Sequence, residues 1–286
     1  MLKKFFQVIG FIFLISFSFF YTEKAITVVR EHDPIMVELR DLSSNYQIDP
    51  INVTFVEDKC IIPGYNGIAI DINKSYSNMR RFGKFNESLI VNKEIVPDKT
   101  INKIYDKYIV KGNKVKESVS LIFKVKNDTY IDIIFNILNN EGVKATFFID
   151  GYWMENNLGV VKYILDNNHE LANLGYNNNY DRDFFLWTNN KFKQLFNKEM
   201  KYCYTEDENE YVLDLCKDYG MHTIMPNIVI TKYPFIEVKN NLEPGSIISF
   251  NINEQVKREL PMIINFIKSK GYTITLLGEH LSEERL

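Results

Sequence analysis

The chain has 286 residues, 45% of them hydrophobic, enough to bury a sizeable core for one ordinary domain plus an appendage. Its 34 Lys and Arg oppose 37 Asp and Glu, and a formal charge of −3 leaves no electrostatic footprint for nucleic acid. Charge names no partner, so the reading rests on hydrophobic patterning and motifs.

Lys3 and Lys4 precede an apolar run from Phe5 to Tyr21, interrupted only by Gln7, Gly10, Ser16 and Ser18. At about 1.5 Å per residue the run spans roughly 25 Å, at the short end for a transmembrane helix. The stretch Phe19 to Glu23 offers no small-residue cleavage site, so residues 1–22 read as an uncleaved signal anchor. The two lysines are then cytoplasmic and the remainder lies outside a cell membrane, crossed once. Residues 23–117 are of mixed texture, with turn punctuation at Pro63-Gly64, Asn66-Gly67, Pro97-Asp98 and Gly112-Asn113. Tyr, Phe and Ile are too frequent there for disorder, so the stretch reads as a small membrane-proximal region.

From residue 118 strands alternate with helices. Val119 to Phe123 reads as a buried strand, and Ile131, Ile134, Phe135 and Leu138 fall at helical spacing before Gly142. Residues 144–149 form the next strand, Leu158, Val161 and Leu165 mark a helix, and Glu170 to Asn173 a short strand. Val212, Leu215, Cys216 and Tyr219 line a helix ending before Gly220. Strand-like segments follow at 222–230 and 245–250, then a helix around Leu260 to Lys270 with Pro261 in its first turn, and a last strand from Tyr272 to Leu277. Alternation of this kind implies an α/β fold whose working face lies at the strand C-terminal ends.

Four segments in this region resemble the polysaccharide deacetylase (NodB-type) family, in family order and spacing. They are Glu141 to Gly151 (Glu-Gly-Val-Lys-Ala-Thr-Phe-Phe-Ile-Asp-Gly), Asn168 to Asn173, Pro244 to Ile248, and Lys270 to Ile274. The resemblance runs through residues 119–281 and implies a deformed (β/α) barrel over 118–286, an extracytoplasmic location and a carbohydrate connection.

The residues that carry the family's chemistry are nevertheless replaced. Where the family has Thr-Phe-Asp-Asp-Gly, supplying a general base and a metal-ligating carboxylate, this chain reads Ile122-Phe123-Lys124-Val125-Lys126. The register of Asn173 puts Leu174 and Asn178 where the family holds two imidazole ligands. The Arg-Pro-Pro-Tyr-Gly element becomes the stretch Lys201 to Thr205, and the late Leu-x-His becomes Ser249-Phe250-Asn251. Catalytic zinc needs about three protein ligands and an open position, and Val125 and Leu174 can ligate nothing. The expectation is a pseudoenzyme without metal or other cofactor, in which Lys124, Val125, Leu174, Asn178, Lys201 and Asn251 mark vestigial positions.

Asp150, Asp181 and Asp183 lie near the expected rim but read as solvated loop residues, and His169 reads as a structural residue at a helix-to-strand turn. Cys203 and Cys216 read as free buried thiols, with a disulfide between them as the alternative. Tyr176, Asn177, Asn178 and Asn251 combine amides with an aromatic face, the chemistry that holds sugars, and so form the candidate ligand site. The expected role is a cell-envelope glycan-binding or protein-interaction module. A deacetylase with an altered site and a purely structural scaffold are the alternatives.

Overall fold

The computed structural model describes residues 2–126, 129–177 and 179–285. The chain divides into two compact units. The smaller comprises residues 1–50, 66–95 and 285–286. It begins with a helix, Leu2–Glu31, within which Ile9–Glu31 is long and apolar enough to cross a membrane. A second helix, Pro34–Ser43, starts at Asp33, whose carboxylate accepts the Ile35 amide at 2.9 Å. An antiparallel pair, Gly67–Ile70 and Asn92–Ile95, and a helix, Ile72–Phe82, complete the unit around Met36, Leu39, Ile70, Tyr76 and Met79.

The larger unit, residues 51–65 and 96–284, is built on an 11-stranded sheet. In chain order its strands are β1 (Thr54–Glu57), β2 (Cys60–Ile62), β3 (Tyr108–Ile109), β4 (Ser118–Val125), β5 (Thr146–Ile149) and β6 (Glu170–Asn173). Then come β7 (Tyr202–Tyr204), β8 (His222–Ile224), β9 (Ile228–Val229), β10 (Ile247–Asn251) and β11 (Thr273–Ile274). The spatial order is β1-β2-β3-β8-β7-β6-β5-β4-β10-β9, with β11 on the N-terminal half of β4. Only the β1–β2 pair is antiparallel. The sheet curls into a half-barrel, in line with the deformed barrel that the resemblance implies. The boundary that texture suggests at residue 117 falls inside this unit, because 51–65 and 96–117 supply its first three strands.

Period-2 alternation sorts side chains between two cores. On β4, Val119, Leu121, Phe123 and Val125 face the helices and join a large cluster with Ile134, Phe135, Val161, Phe185 and Ile264. Ile122 takes the other face and meets Phe148, Ala172, Leu174, Tyr202, Tyr204, Ile224 and Ile247. The helix expected to begin near Leu260 begins at Glu254, with Asn253 accepting the Val256 amide at 2.9 Å, so Pro261 sits inside it. Burial of Val256, Leu260, Ile263, Ile264 and Ile267 outweighs the roughly 3 kcal/mol cost of an internal proline. The expected 222–230 strand breaks around Pro226 into β8 and β9. The last strand is only two residues long, and Leu277 opens a short helix, Leu277–Leu281.

That C-terminal helix closes the N-terminal end of the half-barrel with polar as well as apolar groups. The Leu277 amide donates to Thr146 Oγ1 at 2.9 Å and the Gly278 amide to Glu170 Oε2 at 3.0 Å. Burial pushes the Glu170 carboxyl above its ordinary range. His280 is fully enclosed: its Nε2–H donates to the Gly245 carbonyl at 2.9 Å, and its Nδ1 accepts from Ser118 Oγ at 2.8 Å. A Cβ on Gly112 would stand 2.3 Å from His280 Nε2, so only glycine fits beside the ring.

Burial lowers the pKa of His280 from 6.5 to about 4. A folded-state value below the unfolded one stabilises the fold above pH 6.5, and that contribution is lost as pH falls through about 4. His280→Gln should therefore lose less stability than wild type between pH 7 and pH 4, by up to about 3 kcal/mol at about 1.4 kcal/mol per unit. Thermal or urea denaturation across that range measures the difference, and parallel losses in the two proteins would contradict the assignment.

Candidate functional site

The strand C-terminal ends hold a polar assembly built on β4, β7 and β10. Lys124 lies next to the end of β4 with its side chain 5% exposed, and forms an ion pair with Glu206, two residues beyond β7. Its Nζ also lies 5.2 Å from the centroid of the Tyr204 ring, within cation–π range. The Tyr204 hydroxyl is 2.8 Å from Ser249 Oγ and 3.4 Å from Glu206 Oε1. The Lys124 ammonium holds the Glu206 carboxyl below its ordinary value, while burial pushes the Tyr204 phenol up.

Pairing between β6 and β7 is confined to Asn173 and Cys203, and a tyrosine bridges the ends beyond it. Tyr180 Oη donates to the Asn173 carbonyl at 3.2 Å and accepts the Tyr204 amide at 3.0 Å. Asn173 Oδ1 accepts the Gly175 amide at 2.6 Å, and its Nδ2 donates to Asn189 Oδ1 at 2.8 Å. Gly175 has φ +86°, and a Cβ there would meet the Asn179 carbonyl at 2.4 Å. The turn after β6 is thus fixed by backbone geometry and by Asn173.

The sequence-predicted positions separate in space. Val125 is fully buried in the helix-side core, whereas Leu174, 6% exposed, joins the cluster on the opposite face. The two apolar replacements therefore pack into different cores. Asn251 is exposed at the end of β10, in register with Lys124. Lys201 is exposed at the other end of β7, where its carbonyl accepts the His222 amide. Tyr176 stacks on Phe184 with ring centroids 4.7 Å apart, meets Trp187 edge-on at 5.6 Å, and donates to Glu155 Oε2 at 3.2 Å. Asn177 is exposed with φ +48°. Among the described residues no hydrogen bond joins Tyr176 or Asn177 to Asn251, and Asn178 lies outside them.

Asp150 caps the helix Gly151–Asn156, accepting the Tyr152 and Trp153 amides at 3.0 and 3.2 Å. Asp181, exposed as expected, caps the helix Arg182–Phe196 in the same way, whereas Asp150 is buried where a solvated loop was expected; both aspartates act as helix starts. His169 lies at the start of β6, opposite to Lys124, with Nδ1 accepting the Ala145 amide at 3.2 Å. The expectation of free thiols is corrected: Cys203 and Cys216 form a disulfide with Cα atoms 6.3 Å apart. Alternation turns Cys203 away from Tyr202 and Tyr204 toward the helix Glu210–Asp218 that carries Cys216, a geometry suited to a bridge. Glu206 and the role of Tyr204 were not foreseen. The only local hint is a carboxylate just past the Lys201 to Thr205 stretch.

A catalytic zinc does not fit these residues. Of the three ligand positions, Val125 and Leu174 are buried hydrocarbon, and the Glu206 carboxylate at the strand ends is already paired with an ammonium that would repel a cation. Lys124 cannot serve as the missing carboxylate base.

Residues 111–224 match the polysaccharide deacetylase family model. Across 89% of this chain and 97% of theirs, crystal structures of wild-type BA3943 from Bacillus anthracis, a CE4 family pseudoenzyme, superpose with a TM-score of 0.70 at 27% identity. The chain is a degenerate NodB-type deacetylase-like protein. Protein YlxY of Bacillus subtilis (strain 168) is 27% identical over 322 residues, spanning 100% of this chain and 99% of YlxY. The peptidoglycan N-acetylglucosamine deacetylase Bc1960 shares the fold alone, with 23% identity and a TM-score of 0.56 over 62% of this chain and 95% of its own. The deacetylase-like domain thus keeps the family frame while Lys124, Val125 and Leu174 stand at its base and ligand positions.

Two variants test the ion pair. Glu206→Gln leaves the Lys124 ammonium enclosed without its counter-charge and should cost about 1–3 kcal/mol, less than a fully buried pair because Glu206 is half exposed. Lys124→Met removes the charge itself and should stay within about 1 kcal/mol of wild type. Chemical denaturation of both reads the asymmetry, and the reverse order would refute it. Leu174→Ala should cost about 2–5 kcal/mol in the same assay, as for other buried leucines; wild-type stability would mean the side chain does not pack as described.

Proposed function

We propose that this chain is a membrane-anchored, extracytoplasmic deacetylase-like pseudoenzyme that serves as a cell-envelope glycan-binding or protein-interaction module. The observation that carries this reading is the Lys124–Glu206 pair, which occupies the base position with a salt bridge while Asn251 stays exposed beside it. The exposed Asn251 amide and the half-exposed Glu206 carboxylate offer hydrogen-bonding partners to a saccharide, above a buried Tyr204 ring and without any group to attack the sugar. The Tyr176 loop, with Asn177 at its tip, adds a second polar and aromatic surface on the helix side.

The N-terminal segment supports residues 1–22 as the anchor, with Lys3 and Lys4 on the cytoplasmic side. The Cys203–Cys216 bridge is consistent with an oxidising compartment outside the membrane. The BA3943 structures include a mutant described as having restored enzymatic activity. That description concerns BA3943, and it favours a fold whose cleft remains open to a sugar after its chemistry is gone.

The full chain in detergent should leave chitin oligomers and peptidoglycan acetylated. Millimolar N-acetylated glycan fragments should shift amide resonances around 204–206 and 249–251, or around 174–177. Shifts confined to neither region would remove the glycan reading and leave a protein-interaction scaffold. Deacetylation abolished by a chelator would instead establish an enzyme with an altered site.

A further inference from the structure

Outside the strand-end assembly, one group of three metal-capable side chains lies together among the described residues. Ligand atoms of Glu57, Cys60 and Glu208 all fall within 4.8 Å of one another. Glu57 and Cys60 face each other across the β1–β2 turn, and Glu208 arrives on the loop between β7 and the helix Glu210–Asp218. We propose that these three residues form a zinc-binding site that staples the β1–β2 hairpin to the loop carrying Glu206.

Three features argue for a built site rather than a chance cluster of acids. The first is the thiol: Cys60 is 3% exposed, yet among the described residues its sulfur has neither a disulfide nor a hydrogen-bond partner, and it lies against two carboxylates. A buried, unpartnered polar atom set against two anionic groups is complementary to a cation. The second is charge placement. Lys59, the one cation on the turn, pairs with Glu210 and acts on Glu208 only at longer range, and neither Glu57 nor Glu208 enters an ion pair among the described residues. The third is scaffolding. Tyr108, fully buried and in register with Cys60, accepts the Asn209 amide on its hydroxyl at 2.7 Å, which fixes the loop beside Glu208.

The donor set selects the ion. One thiolate and two carboxylates suit zinc, which takes sulfur at about 2.3 Å and oxygen at about 2.0–2.2 Å in tetrahedral sites, whereas calcium and magnesium take oxygen. Tetrahedral bonds of those lengths put ligand atoms about 3.3–3.7 Å apart, a contraction that the exposed glutamates can supply by rotamer changes. The fourth position is open to water.

The test uses the full chain in detergent, stripped with chelator and titrated with Co2+ as a spectroscopic stand-in for zinc. One equivalent should produce a thiolate-to-cobalt charge-transfer absorption, and added Zn2+ should displace it. Cys60→Ser should abolish the band. Glu57→Gln and Glu208→Gln change exposed side chains and so keep the test valid if the buried cysteine variant fails to fold; each should weaken Co2+ binding at least about tenfold. Lys124→Met should leave the titration unchanged. No band on adding Co2+ to the folded wild type, or a band undiminished in both glutamate variants, would overturn the proposal.

Discussion

Strand β4 is hydrogen-bonded on both edges, to β5 and β10, with β11 joining at its start, and all eight of its residues are buried. A strand in that position cannot slip by one residue without exchanging its two faces, so the helix-side core and the inner cluster are set together. Everything at the strand ends inherits that register. Val125 must go to the helices and Lys124 to the cleft, and the neighbouring strands present Phe148, Ser249 and Tyr204 to whatever stands at Lys124.

The same constraint explains how a site can lose its chemistry without losing the fold. Removing a metal-ligating carboxylate from a closed strand end leaves a position that has to be hydrophobic if it faces the helices, and valine meets that need. The other position faces the inner side of the sheet and is buried, where a charge is tolerated only with a partner. Glu206 and the Tyr204 ring provide it. The replacements at the end of β4 thus follow the burial of each face, one apolar and one ion-paired.

Much of this was legible where a local pattern decides the outcome. The core of β4 follows from its largely apolar run, and that of the helix Ile131–Asn140 from 3.6-residue spacing closed by Gly142. The helix Arg182–Phe196 was hidden because Phe184 and Leu195 are exposed while Thr188 is buried, which blurs its amphipathic stripe. Pro261 misplaced the start of its helix because tertiary burial overrode a local rule. The ion pair at the site could not be read locally, since Lys124 and Glu206 lie 82 residues apart and Glu206 stands in no recognisable motif. The packing of Tyr176 on Phe184 and Trp187 could not be read locally either, since it depends on how the turn at Gly175 meets the following helix.

The disulfide between Cys203 and Cys216 encloses Glu206 in a covalent ring with 13 residues of separation. In the unfolded chain such a ring removes conformational freedom worth about 3 kcal/mol by the loop-entropy account. Its local effect is more specific: the segment that supplies the counter-charge to Lys124 is tethered at both ends, one to the sheet and one to a helix. Oxidation before folding is complete shortens the search by which a carboxylate on one strand end finds an ammonium on another. The groove's electrostatic character is in this sense coupled to the redox state in which the chain matures, and a reduced chain presents the same residues with a longer leash.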